Sequence, residues 1–335
     1  MLNVGLDVHW SSSSVCILDE NGKMVKQFTR RGGWDKMLFD LANLQDRFRI
    51  VFEASCGYGT LYDRLRRLTP DVLVAHPGRL RGIFQSKRKN DRIDAQHLAK
   101  LLYLDEVPRV HVPRKQMRQW RQMIECRRRI IEKRTRTKNG IRSLLRGYGI
   151  RQPRGLWTNK GRQWLESVQL PGEWPQVQLT LLLEELEQFE DQANRITKQL
   201  DRIAARSPGV TLLRTIPGVG PRTAEAIVAY VDDPTRFSRV KQAGAYFGMV
   251  PCQDSSGPRE RLGHITRQGP ATARKYLVEA TWQAVRRNRG LREYFERICG
   301  GKKERRKVAL VATAHHLLRC MIAMLKSGEV WRSAA

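Results

Sequence analysis

The sequence predicts a mixed α/β domain over about the first hundred residues and a helical remainder, an α/β-plus-α chain. Three observations carry this prediction. Short apolar runs of strand length alternate with helix-spaced segments up to residue 106. A heptad of apolar residues runs unbroken from Leu179 to Ile203. From residue 207 onward the chain reads as helices interrupted by one turn-rich insertion.

Taken in order, "LNVGLDVH" and "SVCILDENGKMVKQFTR" are apolar strand runs with a turn at Asn21-Gly22. That dipeptide suits the positive φ angles of a tight hairpin. "RIVFEAS" and "DVLVAHP" give a third and a fourth buried strand, and between them "YGTLYDRLRRL" places Leu61, Leu65 and Leu68 on one helical stripe. Pro108 and Pro113 mark a linker, so a first domain is expected over residues 1–106. "RRRIIEKRTRTKNGIRSLLRGYG" reads as helix as far as Gly147 and Gly149, and residues 151–175, with three prolines and three glycines, read as an irregular connector. The heptad Leu179, Leu182, Leu186, Phe189, Ala193, Ile196, Leu200 and Ile203 advances by alternating threes and fours, which keeps one seam facing a partner helix. The partner is either the basic helix of this chain or the same helix in another copy. These segments form a middle domain, 107–206.

The expected third domain, 207–335, opens with "LLRTIPGVGPRTAEAIVAYV", a helix-hairpin-helix pattern. There Gly218 and Gly220 would let backbone approach a phosphate at a helix N-terminus. The insertion "FGMVPCQDSSGPRERLGHITRQGPATARKYL" follows, then two helices, roughly 270–288 and 303–326.

Charge narrows the function. The chain holds 62 Lys and Arg against 33 Asp and Glu, a formal net charge of +29. Such an excess attracts polyanions, nucleic acid first. Residues 111–160 alone hold 16 basic residues against 2 Glu, and a helix that one-sided repels itself without a polyanion beside it. Arg127, Arg128, Arg129, Lys133, Arg134, Arg136 and Lys138 are therefore the expected nucleic-acid contacts. No run of about 18 apolar residues would cross a bilayer, and no signal peptide is recognisable, so a cytoplasmic, DNA-associated protein without a membrane partner is expected. The six cysteines are widely spaced with no zinc pattern, consistent with reduced thiols.

Against this background four carboxylates stand out. Asp7 follows one apolar strand and Glu53 ends another, while Asp91 and Asp94 are i and i+3 at a helix start. Each alone has an ordinary reading: a turn former, an N-cap, a favourable first-turn charge. Together, in a basic chain, they form an oxygen-rich set suited to Mg2+, with Mn2+ as the alternative.

"GLDVH", "FEASCGYG" and "NDRIDAQHLAKLL" resemble the Asp-Glu-Asp-Asp set of RuvC-like, RNase H-fold nucleases. The whole chain, from about residue 3 to 327, resembles the DEDD-type insertion-sequence transposases, bridge-RNA-guided serine recombinases. "IPGVGPRTA" and "SSGPRERLGHITRQGPATARKYL" are further specific points of likeness. The resemblance implies an RNase H-like (RuvC-like) N-terminal domain, a helical coiled-coil middle and a mainly helical C-terminal domain. It implies a metal-dependent site of Asp7, Glu53, Asp91 and Asp94. It also implies a nucleophilic serine, Ser256 with Ser255 as fallback, although from the residues alone "DSSG" is merely a turn. Arg259, Arg261 and Arg267 would then hold the phosphate, and His264 reads as a phosphate or structural contact. Implied partners are donor and target DNA, a guide RNA, and further copies of the chain in a dimer or tetramer that shares a composite active site. In "VHWSSSS" the sequence departs from many relatives, and Trp10 there is expected in the core rather than on a stacking surface.

Three other readings stay open on the sequence. A metal-dependent nuclease or junction resolvase would use the four acids alone. An actin-like sugar kinase or ATPase would need a second glycine-rich phosphate loop, which is not recognisable. An architectural DNA-binding protein would cut nothing.

Overall fold

The computed structural model describes residues 1–55, 57–83, 90–253 and 262–332. It divides into two compact units, Met1–Lys115 and Gln116–Ala335.

The first unit is built on a five-stranded sheet of order β3-β2-β1-β4-β5. Strands β1 (Leu2–Val8), β2 (Ser12–Leu18) and β3 (Met24–Arg31) form an antiparallel meander. β4 (Phe48–Glu53) lies parallel to β1, and β5 (Val72–Ala75) parallel to β4. The expected turn closes β2 onto β3: Gly22 has φ 77°, and the Asp19 carboxylate accepts the N–H groups of Asn21 and Lys23 at 2.9 and 2.8 Å. Among the described residues four helices complete the unit: α1 (Trp34–Ala42), α2 (Tyr58–Leu65), α3 (Pro77–Ile83) and α4 (Asp91–Tyr103). Helix α1 is absent from the sequence expectation, since nine residues give too little periodicity to separate it from loop.

Strand alternation sorts the sheet into two faces. Val4, Leu6, Ile50, Phe52 and Val74 pack with Met37 and Leu41 of α1 and Leu61 and Leu65 of α2. Val51 and Ala75 face the other way, with Leu98, Leu101 and Leu102 of α4. The unit extends past the expected linker: Pro108 accepts the His76 N–H and Val110 donates to Val74, both at 2.8 Å, while Val107, Val110 and Val112 pack on the two cores.

The second unit contains α5 (Lys115–Gly147), α6 (Asn159–Ser167), α7 (Glu173–Ala205), α8 (Pro208–Leu213), α9 (Pro221–Val231) and α10 (Gln242–Tyr246). The two-stranded antiparallel pair β6 (Pro251–Gln253) and β7 (Leu262–Ile265) follows, then α11 (Ala271–Arg287), α12 (Arg289–Cys299) and α13 (Arg306–Ser327). Two helices correct the sequence reading. α6 lies inside the expected irregular connector, started by Thr158, whose hydroxyl accepts the Gly161 N–H. α12 follows α11 after a break at Asn288, which caps it by accepting the Leu291 N–H at 3.0 Å.

The heptad seam turns toward the basic helix of the same chain. Leu179, Leu186, Ala193 and Leu200 of α7 are buried. Thr137 donates to Glu185 at 2.8 Å, Arg127 donates to Thr197 at 2.9 Å and Lys138 pairs with Glu190 at 3.2 Å. Rising numbers on α5 meet falling numbers on α7, so the two 33-residue helices run antiparallel. Among the described residues only the segment Lys303–Ser327 is long and apolar enough to cross a membrane. Its Ala314, Leu317, Leu318, Met321 and Ile322 are part of this unit's core.

Candidate active site

The site is assembled by one close contact. Gly5, in the middle of β1, lies directly under α4: a Cβ there would sit 2.1 Å from the Ala95 carbonyl oxygen and 2.3 Å from the Ala99 nitrogen. Only a residue without a side chain permits that approach, and Ala95 and Ala99 are small on the helix side. Two residues beyond Gly5 on the same face of the strand stands Asp7. One turn before Ala95 stands Asp91, the first residue of α4, with Asp94 beside it. The glycine thus fixes the helix N-terminus over the end of β1. The N-cap is Asn90, whose side chain accepts the Arg92 N–H at 3.0 Å. Asp91 is therefore spared capping duty.

Glu53 ends β4 on the same face. β1 and β4 are in parallel register through Leu6 and Phe52, so Asp7 and Glu53 are the next residues along neighbouring strands. All four sequence-selected acids lie at one end of the sheet's inner strands β1 and β4, but not equally close. Asp7 and Asp91 come together with His9: one ligand atom from each lies within 4.8 Å of the other two. His9 Nε2 is 3.4 Å from Asp7 Oδ2 and 3.9 Å from Asp91 Oδ1. At the shorter separation the His9 ring faces Asp7 Oδ2, an oxygen otherwise shielded from solvent. Burial pushes the Asp7 carboxyl up to about 6; His9 opposes the shift, while the carboxylates of Asp91 and Asp94 add to it. Asp94 is thus near enough to be felt, and neither it nor Glu53 joins the tight group.

Sequence reading missed His9. Its signal was its spacing, two residues after Asp7 and so on the same strand face. Trp10, expected in the core, is 88% exposed at the β1–β2 turn, where the His9 N–H donates to Ser12 at 2.8 Å. The three-residue connection His9–Ser11 offers no pocket for an indole.

The predicted serine region is more sparsely described. Ser255, Ser256, Arg259 and Arg261 lie outside the described residues, in the stretch between β6 and β7. His264 and Arg267 are exposed, and Arg267 holds φ 54°.

The seven basic positions of α5 fall into two sets. Arg128 is held by Glu125 and Glu132 at 2.9 and 2.6 Å, Arg127 by Thr197, and Lys138 by Glu190. Arg134 is half-buried. Arg129, Lys133 and Arg136 are exposed at i, i+4 and i+7, one face of the helix. Lys133 also stands over the Phe189 ring, 5.7 Å from its centroid. In the turn before α9, Gly218 has φ 94° and packs on α11, where a Cβ would meet the Ala284 nitrogen at 2.5 Å. Internal packing therefore already requires a glycine there. Gly220 opens onto free space at the α9 N-terminus.

Comparison with known proteins gives the site its setting. Residues 210–296 match the family described as "Transposase IS116/IS110/IS902 family", and residues 4–150 match the DEDD transposase family of IS110. The chain belongs to the IS110-type insertion-sequence transposases. It is 27% identical to the transposase for insertion sequence element IS1111A of Coxiella burnetii, over 99% of this chain and 92% of that protein. It is equally identical to a probable family 20 transposase of Pseudomonas aeruginosa, over 87% of this chain and 89% of the relative. The transposase for insertion sequence element IS1328 of Yersinia enterocolitica is 27% identical over 69% of both chains.

In such a transposase the corner formed by Asp7, His9 and Asp91 fits a divalent cation. Its donor atoms are oxygens and one imidazole nitrogen, and Asp7 is buried beside the carboxylates of Asp91 and Asp94, an accumulation of negative charge that a cation would relieve.

Proposed function

We propose that this transposase cuts and rejoins donor and target DNA through a covalent phosphoserine, guided by a bound RNA. The gathering of Asp7 and Asp91 with His9 at the end of β1, with Asp94 and Glu53 nearby, carries the metal-dependent cutting in this reading. The sheet order β3-β2-β1-β4-β5, with acids at the ends of β1 and β4, supports an RNase H-like domain. A Mg2+ ion held by Asp7, Glu53, Asp91 and Asp94, or Mn2+ in its place, would supply Lewis-acid stabilisation of charge on the phosphate.

The serine chemistry balances without any redox partner. Ser256 Oγ attacks phosphorus and loses its proton to water. The Oγ–P bond forms as the bond to the 3′ oxygen breaks, and that oxygen takes a proton from water and departs as a 3′ hydroxyl. The bond energy stays in the 5′-phosphoserine. A 3′ hydroxyl from the other DNA then attacks the same phosphorus, releasing Ser256 with its proton restored. Arg259, Arg261 and Arg267 hold the phosphate oxygens. Arg129, Lys133 and Arg136 meet nucleic-acid backbone through charge and shape rather than sequence. The Gly220 end of α9 is open to a phosphate, and the site is completed across subunits of a dimer or tetramer.

The test is covalent capture. Protein produced together with the noncoding DNA flanking its gene is incubated with labelled donor and target DNA and Mg2+, then denatured. Label that stays on the protein and disappears with Ser256→Ala, and with Asp7→Asn, is the expected result. Cleavage without an adduct, unchanged by Ser256→Ala, would reduce the protein to a nuclease of the four acids. Absence of both cutting and adduct, with binding intact after Asp7→Asn, would leave an architectural protein.

A further inference from the structure

We propose that His9 is a nitrogen ligand of the divalent cation at this site, so that the transposase coordinates its metal through a mixed nitrogen and oxygen set. The inference rests on the acidic site holding a metal, and it adds a residue outside the Asp-Glu-Asp-Asp set.

Three observations converge. The first is direction: Nε2, of the two ring nitrogens, is the one aimed at both carboxylates, at 3.4 and 3.9 Å. For metal–ligand bonds of about 2.1 Å, ligand atoms of an octahedron are about 3 Å apart when cis and about 4.2 Å when trans. Both separations fall in that interval, and the Asp7 and Asp91 oxygens lie within 4.8 Å of each other, so an ion can enter between the three groups after small side-chain movements. The second is shielding: Asp7 Oδ2 is buried, and the His9 ring is the side chain turned to it, so whatever neutralises that oxygen sits against the imidazole. The third is anchoring. His9 is tied by its backbone to Ser12 at 2.8 Å and follows directly on β1, so the ring is delivered by the end of the same central strand that delivers Asp7. It remains 45% exposed, and exchange of the ion with solvent stays open.

The consequence is selectivity. Mg2+ prefers oxygen donors and parts reluctantly with its water, whereas a first-row transition ion accepts imidazole. A nitrogen ligand therefore favours Mn2+ over Mg2+ at this site.

Mn2+ itself is the probe, because its spin reports directly bonded nitrogen. Full-length protein is titrated with Mn2+ and followed by electron paramagnetic resonance, and the bound ion is examined for coupling to 14N by electron spin-echo envelope modulation. Wild-type protein should show the coupling. His9→Ala should abolish it and weaken Mn2+ binding about tenfold, while Mg2+ affinity, read by competition, changes less than twofold. His9→Gln, which restores volume and polarity without a ring nitrogen, should behave the same way, and far-ultraviolet circular dichroism checks that both variants are folded. Mn2+ bound with no nitrogen coupling, or with coupling and affinity unchanged in both variants, overturns the inference and leaves the acidic site standing. Mn2+ binding indifferent to Asp7→Asn and Asp91→Asn overturns the acidic site, and the inference with it.

Discussion

Gly5→Ala tests how the site is built. The added Cβ would lie 2.1 Å from the Ala95 oxygen and 2.3 Å from the Ala99 nitrogen, both backbone atoms that cannot rotate away. Relief requires β1 and α4 to separate by about 1 Å, and overpacking of this kind costs about 3 kcal/mol. Opposing it, removing a glycine from the unfolded chain gains about 0.4–1 kcal/mol, since Gly5 does not hold a positive φ. The net expectation is a loss of about 2 kcal/mol, or about 30-fold in an opening equilibrium. Two units preclude a single unfolding free energy for the chain, so hydrogen exchange of the β1, β4 and α4 amides is the proper assay. Protection there should fall about 30-fold, and Mn2+ affinity should weaken as Asp91 moves from Asp7. Gly82→Ala, with nothing within 4 Å of the added carbon, is the control and should be neutral or stabilising by up to about 1 kcal/mol. Wild-type protection in Gly5→Ala would refute the claim that this contact positions the site.

Other outcomes follow from burial and pairing. Glu225 is buried, with Arg222 at 2.8 Å but no hydrogen bond to either oxygen, and burial pushes its carboxyl up to about 7. Raised above its unfolded value, this group stabilises fully below about pH 4.5 and the benefit is lost as pH rises to 7, roughly 3 kcal/mol in all. Glu225→Gln should remove that decline, and an equal stability difference between variant and wild type at pH 4.5 and 7.5 would contradict it. Trp10→Ala should shift the melting of the protein negligibly, within about 0.5 kcal/mol. Trp120→Ala, buried at 4% exposure, should cost about 3–5 kcal/mol, and comparable melting curves for the two would be the wrong result. Arg129→Ala and Arg136→Ala should each lower the salt dependence of nucleic-acid binding by about one counterion with melting unchanged. Arg128→Ala should instead lower stability by about 1 kcal/mol through its lost carboxylate partners.

The sheet was legible because its strands are apolar runs set apart by turn chemistry, as at Asp19 to Lys23. α7 was legible because its seam never breaks step. α1, α6 and α12 are 9, 9 and 11 residues long, too short for a period to stand above composition. The four acids could be found as residue types at strand ends and a helix start. What no single sequence shows is distance: that Asp7 and Asp91 meet, that Glu53 and Asp94 stand further back, and that His9 joins them. That ordering depends on where α4 crosses β1, and the crossing depends on Gly5, which on its own reads as a weak spot in a strand. Trp10 misled for the complementary reason. Its apolarity was visible, but the tightness of the turn that expels it was not.

The basic helix shows how far a charge count can be refined by structure. Counted in sequence, α5 is uniformly cationic. In the fold its charges divide by direction, because α7 presents Glu185, Glu190 and Thr197 to one side of it and takes up Thr137, Lys138 and Arg127 there. Those contacts would zip the two helices together with or without Arg129 and Arg136. The remaining cations, Arg129, Lys133 and Arg136, span about 10 Å of helix at 1.5 Å per residue, and neighbours on that stripe repel by about 0.5 kcal/mol or more even in water. Packing does not need Arg129 or Arg136, Lys133 touches α7 only through the Phe189 ring, and electrostatics works against all three in the free protein. A polyanion laid along that face reverses the sign of the repulsion, which is why the nucleic-acid assignment belongs to this stripe rather than to the helix as a whole.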